Sequence, residues 1–147
     1  MATAATVPTR SLDRAPATAG FFVLFGRIFF AVIFLAAGPN HFAKQTIAYA
    51  ASQGVPLASI AVPFSGLLAI LGGLSILLGY RARIGAWLIA IFLIGVTPMM
   101  HKFWTVSDPM MYQIQFVMFM KNVSMLGGAL LISQFGAGPL SLDARKK

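Results

Sequence analysis

The stretch IAVPFSGLLAILGGLSILLG, residues 60–79, carries no charged side chain and is long enough to cross a bilayer as one α-helix. Apolar stretches of similar length occupy residues 20–37, 84–100 and 112–135. In a bilayer the backbone polar groups must be satisfied within the spanning structure, which favours helices for stretches of this length. The sequence therefore predicts an all-α integral membrane protein whose transmembrane domain, residues 20–136, is a four-helix bundle.

The composition excludes several other classes of protein. Hydrophobic residues make up 59% and charged residues 10% of the 147 residues, whereas about a quarter of the residues in ordinary soluble domains are charged. A chain of this size cannot bury so much apolar surface, so a soluble globular enzyme and a disordered protein are both excluded. The chain contains no cysteine and no glutamate, which excludes disulfides, iron–sulfur clusters, thiolate nucleophiles and paired-carboxylate catalysis.

The segments outside the predicted spans are short and mostly polar. Residues 1–19 are rich in Ala, Thr and Pro and predict a disordered cytoplasmic tail, and residues 137–147 predict a basic cytoplasmic tail. A cleaved signal peptide is the alternative for the first apolar run, but Arg27 interrupts that run and no clean cleavage site follows it. Between the first two spans, residues 40–53 predict one short interfacial helix, which Gly54 ends.

The distribution of basic residues predicts the orientation in the membrane. With both termini in the cytoplasm, the residues facing it include seven of the 11 basic ones: Arg10, Arg14, Arg81, Arg83, Arg145, Lys146 and Lys147. Lys44 and Lys102 lie in the outer connections. Because cytoplasmic loops are enriched in Lys and Arg, we expect both termini inside. Topology and lipid head groups thus account for the net charge of +8, and we expect no nucleic-acid partner.

Two charged residues lie within the predicted spans. Arg27 is about 10 Å into its span at 1.5 Å per residue, so its side chain nearly reaches the cytoplasmic face. Lys121 lies beside Asn122 near the middle of its span, where a charge costs roughly 2.5–3.5 kcal/mol. No predicted span contains a carboxylate that would pair with it. Several explanations stay open for Lys121: loss of its proton, snorkelling, solvation by carbonyl groups and water, or binding of an anion, a quinone oxygen, a lipid phosphate or a partner's carboxylate.

Polar side chains collect at the outer ends of the spans. Asn40 and His41 follow the first span, and His101 and Trp104 follow the third span on the same side of the membrane. Two histidines are suitable axial ligands for a b-type haem, and with Asp108 they would form a small metal-ligand set. Hydrogen bonding at a wet boundary is the simpler interpretation, and without regular ligand spacing we predict no metal site.

A series of short motifs identifies a family. In order, they are Gly38-Pro39-Asn40-His41-Phe42, Gly54-Val55-Pro56, Gly72-Gly73-Leu74, Gly79 to Arg83, His101-Lys102-Phe103-Trp104, Lys121-Asn122, Gly127-Gly128 and the ending from Gly136 to Asp143. By these motifs the chain resembles the DoxX family of small bacterial membrane proteins over about residues 20–143. The resemblance implies four membrane helices and a location in the bacterial inner (plasma) membrane. It also implies a quinone-linked or redox-partner role, because the family takes its name from relatives in a thiosulfate–quinone oxidoreductase and other members associate with redox-defence enzymes at the membrane.

The chain departs from the family pattern at one position. Many relatives carry a glutamate three residues before the Gly-Gly pair of the second span, where this chain has Ala69. If that acid pairs with the arginine of the first span in the relatives, its absence leaves Arg27 without a partner. If the glutamate relays protons in the relatives, this chain lacks that group for proton-coupled catalysis.

The leading hypothesis is a membrane subunit for quinone-linked redox chemistry, with its site between the spans towards the outer side. Lys121 and Asn122 would hydrogen-bond a quinone-like carbonyl or an anion. The full set of candidate ligand-binding residues is Lys121, Asn122, Arg27, His41, Asn40, His101 and Trp104. No cofactor is assigned: a quinone is compatible with the hypothesis, and a b-type haem is the weaker alternative. No residue is assigned a catalytic role.

Two other functions stay open. The first is a non-enzymatic anchor or assembly partner of a redox or stress complex, in which Arg27 and Lys121 meet carboxylates of a partner. The second is a small-solute carrier, suggested by a faint internal repeat in which Pro39-x-His41 is echoed by Pro98-x-x-His101. Beyond the lipid bilayer, the expected partners are another protein subunit or a second copy of the chain, because four short helices bury little against one another.

Overall fold

A computed structural model describes residues 17–146, which form helices joined by short connections. The helices are α1 (Ala17–Ala37), α2 (Lys44–Ser52), α3 (Ala58–Leu78), α4 (Ala82–Met100) and α5 (Pro109–Phe135), with short 3₁₀ turns at Gly38–Phe42, Phe103–Thr105 and Ala144–Lys146. All the helices except α2 are long and apolar enough to cross a membrane. The predicted all-α fold with four candidate spans is confirmed.

The helix boundaries differ from the predicted spans in ways that local chemistry explains. α5 begins at Pro109 because the Asp108 side chain accepts a hydrogen bond from the Met111 amide at 2.8 Å, and proline suits the first helical turn. Residues 17–19, predicted as tail, form the first turn of α1. The rest of that predicted tail, residues 1–16, lies outside the described residues.

The predicted interfacial helix over residues 40–53 is wrong in its extent. The segment contains a 3₁₀ turn, Gly38–Phe42, and then α2, and the two are separated by Ala43 in an extended conformation with φ −75° and ψ 135°. The side chains of Ala50 on α2 and of Ala58 and Val62 on α3 bury one another. This contact lays α2 across the start of α3.

α3 and α4 form the closely packed centre of the bundle. A Cβ atom on Gly72 would lie 2.8 Å from the carbonyl oxygen of Gly85, so neither helix tolerates a side chain at this crossing. Lipid supplies no hydrophobic drive between helices, and small residues allow the close contact that replaces it. The buried core around this crossing consists of Ala31, Phe34, Ala69, Ile76, Ala86, Ile89, Ala90, Leu93 and Ala129.

The spanning helices are arranged in the order α1, α3, α4, α5, each packing along the next. α1 and α5 approach each other little, and the ring of Phe30 reaches across to Gly128 between them. We call the end of the bundle that carries α2 the α2 end. The opposite end, with the α3–α4 turn, the start of α1 and the end of α5, is the terminal end.

The segment after α5 is folded against the terminal end, a structure that the prediction of a basic tail does not include. The backbone amide of Asp143 donates to the Gly79 carbonyl at 2.8 Å. The Asp143 carboxylate accepts from the amides of Arg81 at 2.8 Å and Ala82 at 3.1 Å. These amides begin α4 and have no partner within the helix, so Asp143 acts as their cap. We call residues 136–143 the C-terminal strap.

Candidate functional site

A cavity of about 440 Å³ lies between the spanning helices in the half of the bundle nearest α2. All four spanning helices and α2 contribute to its wall, which is mostly apolar. The polar side chains on the wall are His41, Thr46, Ser65, His101, Lys121 and Asn122. This volume is within the range of roughly 300–1,000 Å³ that is typical of small-molecule sites. An apolar cavity with a few polar groups is the usual form of a ligand site in a helical bundle.

Lys121 and Asn122 place polar groups on the α5 side of this cavity. The Lys121 ammonium group lies 3.2 Å from the sulfur of Met118, one turn away on the same helix. A thioether is a weak acceptor, and within residues 17–146 no carboxylate forms an ion pair with this ammonium group. Asn122 is 7% exposed and is therefore the more enclosed of the two side chains. The pair offers an ammonium group and a carboxamide to whatever occupies the cavity.

His41 and His101 lie on the same wall nearer the α2 end. The Nδ1 atom of His41 is 3.2 Å from the Ala37 carbonyl oxygen, and Nδ1 of His101 is 2.9 Å from the side-chain oxygen of Gln115. Both of these partners are oxygen acceptors, so each Nδ1 carries a proton and donates it. The neutral form of such a ring presents Nε2 as a hydrogen-bond acceptor.

The position of His41 depends on a close approach between the 3₁₀ turn and α3. A Cβ atom on Gly66 would lie 2.6 Å from the Cβ of His41, so a glycine is needed where α3 passes the histidine. The imidazole also meets the ring of Phe92 edge to face, with 5.7 Å between the ring centroids. The histidine is thus fixed from three sides, by α1, α3 and α4.

Arg27 lies away from this cavity and corrects the expectation that it has no partner. Its side chain is 3% exposed, and its Nη2 donates to the carbonyl of Leu140 in the C-terminal strap. The Asp143 carboxylate also acts on it electrostatically. Nε and Nη1 are buried without a hydrogen-bond partner among the described residues. Arg27 and Leu140 are 113 positions apart in the sequence, so no local pattern reveals this contact.

Asn40 and Trp104 are also separate from the cavity wall. Asn40 is exposed in the 3₁₀ turn after α1. Trp104 packs on Phe103 and Phe119 with centroid distances of 5.1 Å and 6.0 Å and is 55% exposed. Of the seven candidate ligand-binding residues, the structure therefore brings four together around one cavity: Lys121, Asn122, His41 and His101.

Sequence reasoning missed two polar wall residues, Thr46 on α2 and Ser65 on α3. Ser65 donates to the Val62 carbonyl at 2.7 Å, a common arrangement in membrane helices that carries no functional signal. Within residues 17–146, no group of three His, Cys, Asp or Glu side chains is close enough to hold a metal ion. The mostly apolar wall of the cavity suits an organic ligand.

Comparison with known proteins agrees with this architecture. The model of the DoxX family matches residues 22–102. The chain is 32% identical over 123 residues to "Inner membrane protein YqjF" of Escherichia coli, covering 82% of this chain and 88% of that protein. It is 30% identical over 100 residues to "Inner membrane protein YphA" of the same organism, covering 68% and 71%.

A yeast protein is similar over part of its length. "ER-derived vesicles protein ERV29" of Saccharomyces cerevisiae is 29% identical over 117 residues, which are 74% of this chain and 36% of that longer protein. No solved structure matches the chain significantly. The family model covers more than half of the chain, and both bacterial relatives are inner membrane proteins matched over most of their length. The chain therefore belongs to the DoxX family and is a multi-pass protein of the inner membrane.

Proposed function

We propose that this protein binds a lipid-soluble quinone in the cavity between its spanning helices and serves as a membrane subunit for quinone-linked redox chemistry. The observation that carries the proposal is an apolar cavity of about 440 Å³ whose wall holds an ammonium group without a carboxylate partner among the described residues. A quinone has the matching chemistry, because its ring is apolar on both faces and its polar atoms are two carbonyl oxygens.

The polar groups suit both redox states of such a ligand. The Lys121 ammonium group and the Asn122 amide donate hydrogen bonds, and an oxidised quinone accepts them at a carbonyl oxygen. The Nε2 atoms of His41 and His101 accept hydrogen bonds when the rings are neutral, and the hydroxyl groups of a reduced quinol donate them. The apolar side chains on the cavity wall, including Phe34 and Met125, would contact the ring.

The anchor alternative has a narrower basis in the structure. That hypothesis takes Arg27 and Lys121 as two free cations for a partner's carboxylates. Arg27 is instead enclosed by the C-terminal strap, where Leu140 and Asp143 act on it. Lys121 remains, and its position on the cavity wall favours a ligand over a protein partner. The small-solute carrier stays a prediction from the repeat, and an uptake assay in liposomes would test it.

The proposal is tested by quinone binding to the purified protein in lipid nanodiscs, with decylubiquinone as the probe. Lys121→Met keeps the length of the side chain and removes the donor. Because a hydrogen bond to a charged group contributes about 1.5–3 kcal/mol, we expect the affinity to fall about 10- to 100-fold. Lys44→Met is the matched control, because Lys44 is exposed at the start of α2 and does not line the cavity.

Two results would contradict the proposal: no binding of decylubiquinone to the unmodified protein, or equal affinity in Lys121→Met and Lys44→Met. Thermal unfolding of both variants controls for loss of structure. Oxidised and reduced optical spectra, with extraction of bound lipid-soluble molecules, show independently whether the protein carries a quinone or a haem when isolated from the membrane.

A further inference from the structure

α1 and α5 form the loosest seam of the bundle. The neighbouring pairs α1–α3, α3–α4 and α4–α5 pack along their lengths, whereas α1 and α5 approach each other little. Large side chains and the C-terminal strap, rather than direct helix packing, fill the space between them. This seam faces the hydrocarbon core of the membrane, because both helices are candidate spans.

The half of the seam nearest the terminal end is closed. A Cβ atom on Gly138 would lie 2.7 Å from the side chain of Val23, and one on Gly20 would lie 3.2 Å from Pro139, so the strap fits closely against α1. At mid-membrane the Phe30 ring would lie 2.9 Å from a Cβ atom on Gly128. The Phe30–Gly128 contact closes the seam on the side of the cavity that faces the terminal end.

Between that contact and the α2 end, the seam is open. Lys121 lies seven residues from Gly128, on the same side of α5 and about 10 Å nearer the α2 end. On α1, Ile33 and Ala37 occupy the corresponding levels above Phe30. Lys121, Ile33 and Ala37 line the cavity and are also exposed, Ile33 to the extent of 36%. On α4, Ile91 and Gly95 line the cavity and are exposed as well. Residues that both line a cavity and are exposed lie at an opening of that cavity, and the opening between α1 and α5 is the one with a charged side chain, Lys121, at its edge.

From these observations we propose that the cavity opens sideways into the membrane between α1 and α5, and that a single-tailed lipid-soluble ligand enters through this opening with its head group towards Lys121. We call this opening the lateral portal. Ile33 and Ala37 lie on one side of it and Lys121 on the other. The Phe30–Gly128 contact closes it towards the terminal end. The proposal deepens the proposed function and rests on it for the identity of the ligand.

The portal also defines the class of ligand. A volume of about 440 Å³ holds a substituted ring and the beginning of a side chain, but it does not hold a long polyprenyl or acyl tail. The tail of such a ligand extends through the portal and stays in the hydrocarbon core. The ammonium group of Lys121 then meets the polar head at the edge of the cavity, where it no longer faces hydrocarbon alone.

The test uses chemical labelling, which needs no quinone. Because the sequence has no cysteine, Ser65→Cys introduces the only thiol, on the cavity wall and with little change in size. Maleimides add to the thiolate, so labelling is run near pH ~8.5, where about half of free cysteine is ionised. In nanodiscs we expect this thiol to react with N-ethylmaleimide, which partitions into lipid, and not with a charged maleimide restricted to water. Adding Ala37→Trp places a large ring in the portal and should slow the reaction about tenfold, equivalent to a barrier of ~1.4 kcal/mol.

The matched control is Ala36→Trp, which adds the same ring at an exposed neighbour that does not line the cavity. A slower reaction in Ala37→Trp alone supports the portal. Equal rates in the two variants, labelling by the charged reagent, or no labelling of the Ser65→Cys thiol would each overturn it. If the portal result holds and decylubiquinone does not bind, the error lies in the proposed function and another single-tailed lipid is the ligand.

Discussion

Lys121 and Arg27 show how differently two charges in spanning helices are accommodated. A charge at the centre of a helix costs roughly 2.5–3.5 kcal/mol on insertion scales, so both need favourable surroundings. Arg27 is 3% exposed and obtains them from within the chain, through the Leu140 carbonyl and the charge of Asp143. Lys121 has a thioether contact and an open cavity. The first charge therefore serves the fold, and the second is the one available to a ligand.

The conformation of Gly79 makes a prediction at the scale of one residue. Gly79 ends α3 with φ +63°, and a Cβ atom there would overlap Nη1 of Arg27 and the side chain of Ser141. Gly79→Ala should destabilise the protein by about 1–3 kcal/mol, measured by unfolding in detergent. Gly127→Ala is the control, because nothing lies within 4 Å of a Cβ atom at that position. Equal stability of the two variants would contradict the close fit at Gly79.

At the scale of elements, the C-terminal strap continues from α5 and connects that helix to α1, with which α5 packs little. It contacts α1 through Leu140, and it returns to the end of α3 and the start of α4 through Asp143. At the other end, the Lys102 ammonium group donates to the Gln53 carbonyl at 2.7 Å and fixes the loop between α2 and α3. Contacts between segments far apart in the chain thus hold both ends of the bundle together, and the portal lies between these two sets of contacts.

The strap makes the second prediction. Asp143→Asn removes the charge that faces Arg27 and one of the two oxygens that cap α4, so we expect a loss of about 1–2 kcal/mol and faster trypsin cleavage at Arg145. Asp108→Asn is the matched change at the start of α5 and should have little effect, because asparagine caps helices about as well as aspartate. If both variants lose the same stability, the charge of Asp143 contributes nothing beyond its cap.

At the scale of the whole molecule, aromatic side chains mark both ends of the bundle. Trp87 is 49% exposed near the terminal end, and Trp104 is 55% exposed near the α2 end. Phe103 joins Trp104 to α5 through edge-to-face contacts with Tyr112, Phe116 and Phe119 at 5.3–5.7 Å. Such rings ordinarily lie at membrane interfaces. The two tryptophans therefore indicate the two membrane interfaces, and the axis of the bundle crosses the bilayer between them.

The orientation in the membrane is the third prediction. The excess of basic residues in the termini and the α3–α4 turn predicts that the terminal end lies in the cytoplasm and the α2 end outside. In intact cells with a permeable outer membrane, a membrane-impermeant maleimide should label Ser52→Cys on α2 and leave Ser11→Cys unlabelled until the inner membrane is opened. The reverse pattern would show that the portal lies in the cytoplasmic half of the bilayer.

The sequence by itself determined the membrane class, the four spans and the family, because hydropathy and charge act through local runs of residues that need no knowledge of contacts. It also identified Lys121, Asn122, His41 and His101, because polar groups in apolar surroundings are conspicuous in any span. Only the tertiary structure decided that these four share a cavity and that Arg27, Asn40 and Trp104 do not line it. The partner of Arg27 and the open seam between α1 and α5 arise where segments far apart in the chain meet, and no local pattern encodes that meeting.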